Sequence, residues 1–122
     1  MTLALETGWQ NIRDLVAELN LPRVEETTSY RKPCFKAHKK LWVWISPHCE
    51  AIVFKALLEQ RDMLMAAEPH RYFVTDHYLG HSLVLVRPDQ IDLDWARANL
   101  LRVWREQAPK RWLKTYNETG EI

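Results

Sequence analysis

The chain has 122 residues, of which 47% are hydrophobic and 27% are charged, and its formal net charge is +1. This composition is typical of a soluble globular protein and excludes collagen-like and largely disordered chains. No apolar run approaches the roughly 20 residues that a membrane-spanning helix needs, and the first residues lack the pattern of a signal peptide. We therefore expect one domain over residues 1–122, a monomer, located in the cytoplasm and without membrane contact.

The first predicted element is an amphipathic helix. Apolar residues recur between Trp9 and Leu19 at spacings of three and four, with polar residues on the opposite face. Thr7 is the expected N-cap, because its side-chain oxygen can accept a hydrogen bond from a free backbone N–H of the first turn. Pro22 ends the helix, since the residue before a proline is pushed out of the helical conformation.

A meander of extended segments follows. Val24–Tyr30 leads into it, as either a first strand or an extended segment. Pro33–His38, Leu41–Ile45 and Ala51–Leu57 then supply apolar runs rich in β-branched and aromatic residues. The last two runs are separated by the short polar segment 46–50, which is the pattern of an antiparallel hairpin.

The second half of the chain adds helices and two more strands. Helical spacing predicts a helix over Leu57–Glu68, and extended segments follow at Tyr72–Val74 and Ser82–Arg87. Asp92 is the expected N-cap of a third helix, and a short terminal helix is predicted over Lys110–Tyr116. The order α-β-β-β-α-β-β-α, with the terminal helix added, predicts a two-layer α+β domain in which an antiparallel sheet carries helices on one face.

Positive charge is concentrated in two parts of the chain. Residues 31–40 contain five Lys/Arg and no Asp or Glu, and residues 97–114 contain six against one Glu, which leaves six basic and fifteen acidic residues elsewhere. Cations that lie close together bind nucleic-acid phosphates and release counterions, independently of base sequence. The predicted contacts with duplex DNA are Arg31, Lys32, Lys36, Lys39, Lys40, Lys110, Arg111 and Lys114. The alternative is that each basic run is a solvated strand edge or helix face.

The tryptophans and cysteines of the meander are expected to be structural. Trp42 and Trp44 are two residues apart on a predicted strand, so we expect them on the same side of the sheet. Packing in the core is favoured over stacking on nucleic-acid bases. Cys34 and Cys49 are expected to be free, half-buried thiols on neighbouring strands, because two cysteines do not make a disulfide scaffold.

A set of short motifs is distributed over residues 9–116, and its members are Leu21-Pro22, Val24–Tyr30 (VEETTSY), Pro33–Lys36 (PCFK), Lys40–Val43 (KLWV), Tyr72–Gly80 (YFVTDHYLG), Leu85–Arg87 (LVR) and Ala108–Arg111 (APKR). In these motifs the chain resembles the MmcQ/YjbR family. The resemblance implies a secretion-chaperone-like or frataxin-like arrangement, α-β-β-β-α-β-β-α, and the DNA-binding role commonly assigned to such proteins. The chain departs from the family pattern at Arg31, where a glycine or another small turn residue is usual, and this leaves the turn geometry open.

Catalysis and metal binding are not expected. Asp76 and His77 would form a catalytic pair only if they faced each other, and neighbours on an extended segment point to opposite sides. We expect instead that Thr75 and Asp76 cap backbone groups while Tyr78 packs. No motif with the spacing of a zinc site is present, and the first helix lacks the acidic ridge on which frataxin-like proteins gather iron. We therefore expect no enzyme activity, no cofactor and no metal.

A protein-interaction module without a nucleic-acid role is the alternative function. Secretion-chaperone-like folds often present a sheet or helix face to another protein, and this chain has 6 tryptophans. An exposed Trp112 beside Lys110 and Arg111 would be a suitable interface anchor.

Overall fold

A six-stranded antiparallel sheet lies at the centre of the computed structural model, which describes residues 1–120. The strands are β1 (Val24–Ser29), β2 (Lys32–Ala37), β3 (Lys40–Ile45), β4 (Ile52–Lys55), β5 (Tyr72–Phe73) and β6 (Leu83–Val86), in the spatial order β1-β2-β3-β4-β6-β5. The helices are α1 (Leu3–Leu19), α2 (Leu58–Ala67), α3 (Leu93–Gln107) and α4 (Lys110–Thr119), and a short 3₁₀ helix spans Asp76–Tyr78. The predicted α+β class and order of helices and strands are confirmed, and the segment that leads into the meander forms strand β1, so that four strands precede α2.

Apolar side chains from the helices and from one face of the sheet form the main core. Trp9 of α1, Leu100 of α3 and Phe54 of β4 are all buried within it. Leu64 of α2 and Trp112 of α4 pack at its margin. Among residues 1–120 the α-helices therefore all lie on one face of the sheet, as predicted, and the opposite face is left to loops and solvent.

Helix α1 begins earlier than predicted. Its N-cap is Thr2, whose hydroxyl accepts a 3.2 Å hydrogen bond from the backbone N–H of Leu5. Leu5 is buried, so the apolar stripe extends one turn before Trp9, and the helix begins at Leu3. The prediction of Thr7 as the N-cap is wrong, because tertiary burial of the first turn decides where this helix starts.

Two tight hairpin turns flank β2, and neither contains glycine. Tyr30 and Arg31 form the β1–β2 turn with φ angles of 51° and 64°, and His38 and Lys39 form the β2–β3 turn with φ angles of 55° and 68°. Positive φ at both central residues is what a type I′ hairpin turn requires, because its twist matches that of the strands. The β1–β2 turn thus keeps this compact geometry although Arg31 stands where the family resemblance leads one to expect a small residue.

The two tryptophans of β3 lie on opposite faces of the sheet. A β-bulge shifts the β2–β3 register between Phe35 and Lys36, and Trp42 has no direct partner on β2. Trp42 is buried in the main core, where its indole N–H donates a 2.9 Å hydrogen bond to the carbonyl of Leu100. Trp44 is half-buried in a second apolar cluster. The prediction that both point to one side is wrong, because the extra residue of a bulge interrupts the alternation of side chains.

The second apolar cluster lies on the helix-free face. Val53 and Leu85 of the sheet pack there with Tyr78, whose hydroxyl is 2.9 Å from the hydroxyl of Ser46. Arg61 of α2 is buried against the loop that precedes β6 and donates hydrogen bonds to backbone carbonyls of that loop and of the first β6 residue. This arginine therefore holds the segment that covers the cluster.

Further predictions concern single residues. Asp92 caps α3 as predicted, because its carboxylate accepts hydrogen bonds from the backbone N–H groups of Asp94 and Trp95. Both cysteines are free thiols. Cys34 is fully buried in β2, where burial raises the pKa of its thiol. Cys49 is half-buried but lies in the β3–β4 loop, so the expectation of two thiols on neighbouring strands is wrong for this residue.

Candidate nucleic-acid interface

The predicted phosphate contacts lie on β2, in its two turns, at the start of β3 and on α4. Arg31 belongs to the β1–β2 turn, Lys39 belongs to the β2–β3 turn, and both are exposed. Lys32 and Lys36 are half-buried and, by the two-residue period of β2, share the helix-free face of the sheet with Trp44. The predicted contacts are therefore accessible, but at different places on the surface.

The β2–β3 turn lies next to the junction of α3 and α4. The side-chain amide of Gln107, the last residue of α3, donates hydrogen bonds of 2.9 Å and 3.4 Å to the carbonyls of Ala37 and Lys40. The amide oxygen of Gln107 accepts a 2.7 Å hydrogen bond from the ammonium of Lys55. Because α4 begins shortly afterwards at Lys110, the two basic segments of the sequence are neighbours in the fold.

Aromatic packing completes the contact between the turn and α4. The ring of His38 contacts both Trp104 and Trp112, with centroid distances of 5.0 Å and 5.1 Å, and the two indoles contact each other at 5.8 Å. The guanidinium of Arg23 lies 5.2 Å from the centroid of Trp112. The carbonyl of Arg23 accepts a 2.8 Å hydrogen bond from the N–H of His38. Trp112 is thus half-buried among other side chains, and it is not the exposed anchor that a protein interface would need.

The imidazole of His38 is buried in this contact and is uncharged at neutral pH. It is 5% exposed, and neither ring nitrogen has a hydrogen-bond partner within the described part of the chain. Burial lowers the pKa of the imidazole below its ordinary value, and the positive charges of Arg23 and Lys40 lower it further, against an opposing effect of the Trp104 backbone. At neutral pH the imidazole therefore adds no charge to those around it.

The exposed cations around this contact form what we call the turn surface, which consists of Arg23, Lys39, Lys40, Lys110, Arg111 and Lys114. Within residues 1–120, none of these side chains forms an ion pair with Asp or Glu. The ion pairs of the described chain use other arginines, as in Arg97 with Glu18. Glu25 is the carboxylate that lines a shallow depression together with Arg23 and Lys39. The turn surface therefore keeps most of its positive charge without a partner.

The other acidic residue at the centre of β1 is engaged elsewhere. Glu26 accepts a 3.1 Å hydrogen bond from the indole of Trp9 and forms a 2.8 Å ion pair with Arg13 of α1. Partial burial alone would raise the pKa of its carboxyl, but the hydrogen bonds from Arg13 and Trp9 outweigh burial, and the pKa is lowered. This carboxylate is therefore held on the helix side of the sheet.

Arg31 and Lys32 form a second, separate group of cations. They lie at the opposite end of β2 from Lys39, at a distance of roughly 20 Å if the strand rises by its usual 3.3 Å per residue. The predicted phosphate contacts thus do not form one continuous patch. Lys39, Lys40 and the cations of α4 belong to the turn surface. Arg31 and Lys32 border the helix-free face, and Lys36 lies on β2 between the two groups.

A groove of about 560 Å³ crosses the helix-free face beside this second group, and we call it the open-face groove. Tyr30, Trp44, His48, His77 and Tyr78 line it. The imidazole centroids of His48 and His77 are 3.9 Å apart. These residues come from a turn, a strand, a loop and the 3₁₀ helix. In the sequence alone, only the aromatic Tyr30 in a basic turn pointed to the groove.

Most of the chain matches a known protein family. The model of the YjbR family matches residues 19–106 of the chain. The chain belongs to the YjbR family. The match covers all strands of the sheet, whereas α4 and the motif at Ala108–Arg111 lie beyond it. Among the curated proteins and the solved structures that were compared, none matches the chain.

The Thr75–Tyr78 segment of this YjbR-family chain forms a 3₁₀ turn and is not extended. Tyr78 is buried, as predicted. The predicted capping by Thr75 and Asp76 is wrong: within residues 1–120 neither side chain caps a backbone N–H, and the hydroxyl of Thr75 is buried without a partner. The turn is held instead by a 3.0 Å backbone hydrogen bond between the N–H of Tyr78 and the carbonyl of Thr75. His77 contacts the ring of His48, and both histidines line the open-face groove together with Tyr30 of the β1–β2 turn.

Residues 1–120 show neither a cluster of metal ligands nor a membrane-spanning helix. That part of the YjbR-family chain contains no group of three or more His, Cys, Asp or Glu placed to hold a metal ion. None of its helices combines the length and the apolar character that crossing a membrane would require.

Proposed function

We propose that this YjbR-family protein binds nucleic acid through the phosphate backbone, without catalysis and with little dependence on base sequence. The turn surface is the principal contact in this proposal. The observation that carries it is the meeting of both basic segments at one end of the sheet, where the cations have no ion-pair partner within residues 1–120. Cations without a carboxylate partner are free to replace the counterions of a phosphate backbone.

Backbone conformation supports a role for the charge itself. Arg23, Arg31 and Lys39 have φ angles of 60°, 64° and 68°, in the left-handed region that favours glycine. A residue with a Cβ is less stable there by roughly 1–2 kcal/mol. Basic residues that persist in strained positions on an exposed surface are more readily explained by binding than by the needs of the turn.

The strength of the interaction should follow from the number of cations. If about five side chains of the turn surface each neutralise one phosphate, the logarithm of the affinity falls with the logarithm of salt concentration with a slope of about −4.5. Contacts of this kind fix the position of the protein on the duplex but read no bases. We therefore expect similar affinities for duplexes of different sequence and equal length.

The test compares two variants with the same loss of net charge. In the first, Lys39, Lys40 and Lys110 are replaced by Gln. In the control, Leu3→Glu, Met63→Glu and Ala98→Glu are introduced at exposed positions on α1, α2 and α3, away from the turn surface. Binding to a fluorescently labelled duplex is measured by anisotropy at several salt concentrations.

We expect the Lys→Gln variant to bind weakly and its salt slope to shrink by about 2 to 3. The control should keep the slope of the wild type. If the wild type shows no salt-dependent binding at low ionic strength, or if both variants lose affinity equally, the proposal is wrong. Thermal unfolding of each variant verifies that the fold is intact.

A protein-interaction module is the second candidate, because α2 carries an apolar patch. Met63 is 73% exposed and lies beside Leu57 and the half-buried Trp95 along one groove. Clustered apolar groups at the surface are typical of protein-binding sites. Concentration-dependent association in sedimentation velocity, abolished by Met63→Glu, would favour this candidate, whereas a monomer at all concentrations would weigh against self-association through α2.

We propose a cytoplasmic location for the protein, whichever of the two functions it has. Cys34 and Cys49 are free thiols, and free thiols persist in a reducing compartment.

A further inference from the structure

We propose that the open-face groove binds the unpaired bases of a single-stranded nucleic acid, while Lys32 and Lys36 contact phosphates of the same strand. This inference rests on the proposed nucleic-acid function and names the form of nucleic acid that the helix-free face fits.

The groove offers aromatic surfaces on which bases can stack. Tyr30 is 81% exposed, although its ring is apolar, and it lines the same groove as the histidine pair. Trp44 is half-buried in the same groove, and the rings of His48 and His77 add further planar surface. Stacking of a base on an aromatic side chain is tolerant of sequence and removes apolar surface from water.

Lys32 and Lys36 of β2 lie beside the groove, where they can contact the phosphates of a strand whose bases enter it. Lys32 is paired with Ser29, and Lys36 is paired with Leu41, and both partners line the groove. The Cα atoms of the two lysines are about 13 Å apart on an extended strand. Glu25 is the carboxylate opposite Lys36 in the β1–β2 register. The partner of Lys32 is a serine, so no acidic residue opposes it in that register.

The shape of the site selects an unpaired strand. In a duplex the bases are paired and stacked on one another, and only the phosphates and the base edges reach a protein surface. A groove lined by rings can take a base only when that base is unpaired and can leave its stack. The α-helices of the described chain all lie on the other side of the sheet, so a strand can reach the groove. Its volume of about 560 Å³ leaves room for bases between the rings.

The test uses the full chain with a short oligothymidylate, an oligouridylate and a DNA duplex of the same length. Binding is followed by anisotropy, and the quenching of tryptophan fluorescence that is lost in Trp44→Phe reports on Trp44. Tyr30→Ala removes the exposed ring, and Tyr30→Phe retains it as the matched control. We expect Tyr30→Ala to weaken oligothymidylate binding about tenfold, with duplex binding unchanged. Tyr30→Phe should bind the oligothymidylate like the wild type. Comparing the affinities for oligouridylate and oligothymidylate shows whether the groove prefers an RNA or a DNA strand.

Two results would overturn the inference while leaving the proposed function intact. In the first, duplex binding depends on Lys39, Lys40 and Lys110, but Tyr30→Ala leaves oligothymidylate binding unchanged. In the second, single strands bind no more tightly than the duplex and do not quench tryptophan fluorescence. Failure of every nucleic acid to bind would instead refute the proposed function together with this inference.

Discussion

The β2–β3 turn allows the contribution of backbone strain to be separated from that of charge. Lys39 has a φ angle of 68°, and its side chain makes no hydrogen bond or ion pair within residues 1–120. Lys39→Gly relieves about 1–2 kcal/mol of left-handed strain. The greater conformational freedom of glycine in the unfolded chain offsets about 0.5–1 kcal/mol of this gain. The net expectation is a stabilisation of about 1 kcal/mol.

Lys40→Gly is the matched control for this change. Lys40 is the next residue, is exposed, and lies at the start of β3 opposite Ala37. Its replacement removes the same charge, but glycine in a strand lowers stability by about 0.5–1 kcal/mol. In differential scanning calorimetry, Lys39→Gly should raise the melting temperature by about 4 °C, and Lys40→Gly should lower it. Both variants should weaken duplex binding to a similar extent.

The result that refutes this reasoning is a loss of stability in Lys39→Gly as large as the loss in Lys40→Gly. In that case the left-handed conformation is not strained, and the argument from strained cations to nucleic-acid binding would lose its basis. Unchanged duplex affinity in both variants would mean that neither Lys39 nor Lys40 contacts the duplex.

Two further predictions concern stability. Because the pKa of His38 is lowered in the folded state, the unfolded chain binds more protons, so stability should fall as the pH drops through about 6.5; His38→Asn, which tolerates the positive φ angle, should reduce this dependence in urea unfolding at two pH values. A Cβ at Gly8 would lie 2.6 Å from the carbonyl oxygen of Pro88, so Gly8→Ala should destabilise the protein by about 1 kcal/mol or more, despite the better helix propensity of alanine.

Each of these predictions has a clear contrary outcome. Equal pH dependence in the wild type and in His38→Asn would assign the acid sensitivity to other groups. A higher melting temperature for Gly8→Ala would mean that α1 can move away from Pro88 at little cost, and that helix propensity decides the effect.

Local patterns in the sequence were sufficient for most of the secondary structure. The spacing of Trp9 and its apolar successors predicted α1, and the carboxylate of Asp92 predicted the start of α3, because both depend on residues within one or two helical turns. Thr7 failed as a cap because the burial of Leu5 depends on what the first turn of α1 packs against. The expectation that Trp42 and Trp44 share one side failed because a bulge depends on the register with β2.

The sequence by itself determined that the chain forms an α+β domain with two basic segments, since hydrophobic periodicity, caps and charge are local properties. Only the tertiary structure decided that these segments meet, because the contact depends on Gln107 reaching two carbonyls of the β2–β3 turn and on His38 packing against tryptophans of α3 and α4. The open-face groove likewise exists only after folding. Its rings come from distant parts of the chain, and the sheet brings them together because strand pairing, unlike helix formation, joins residues without regard to their separation in sequence.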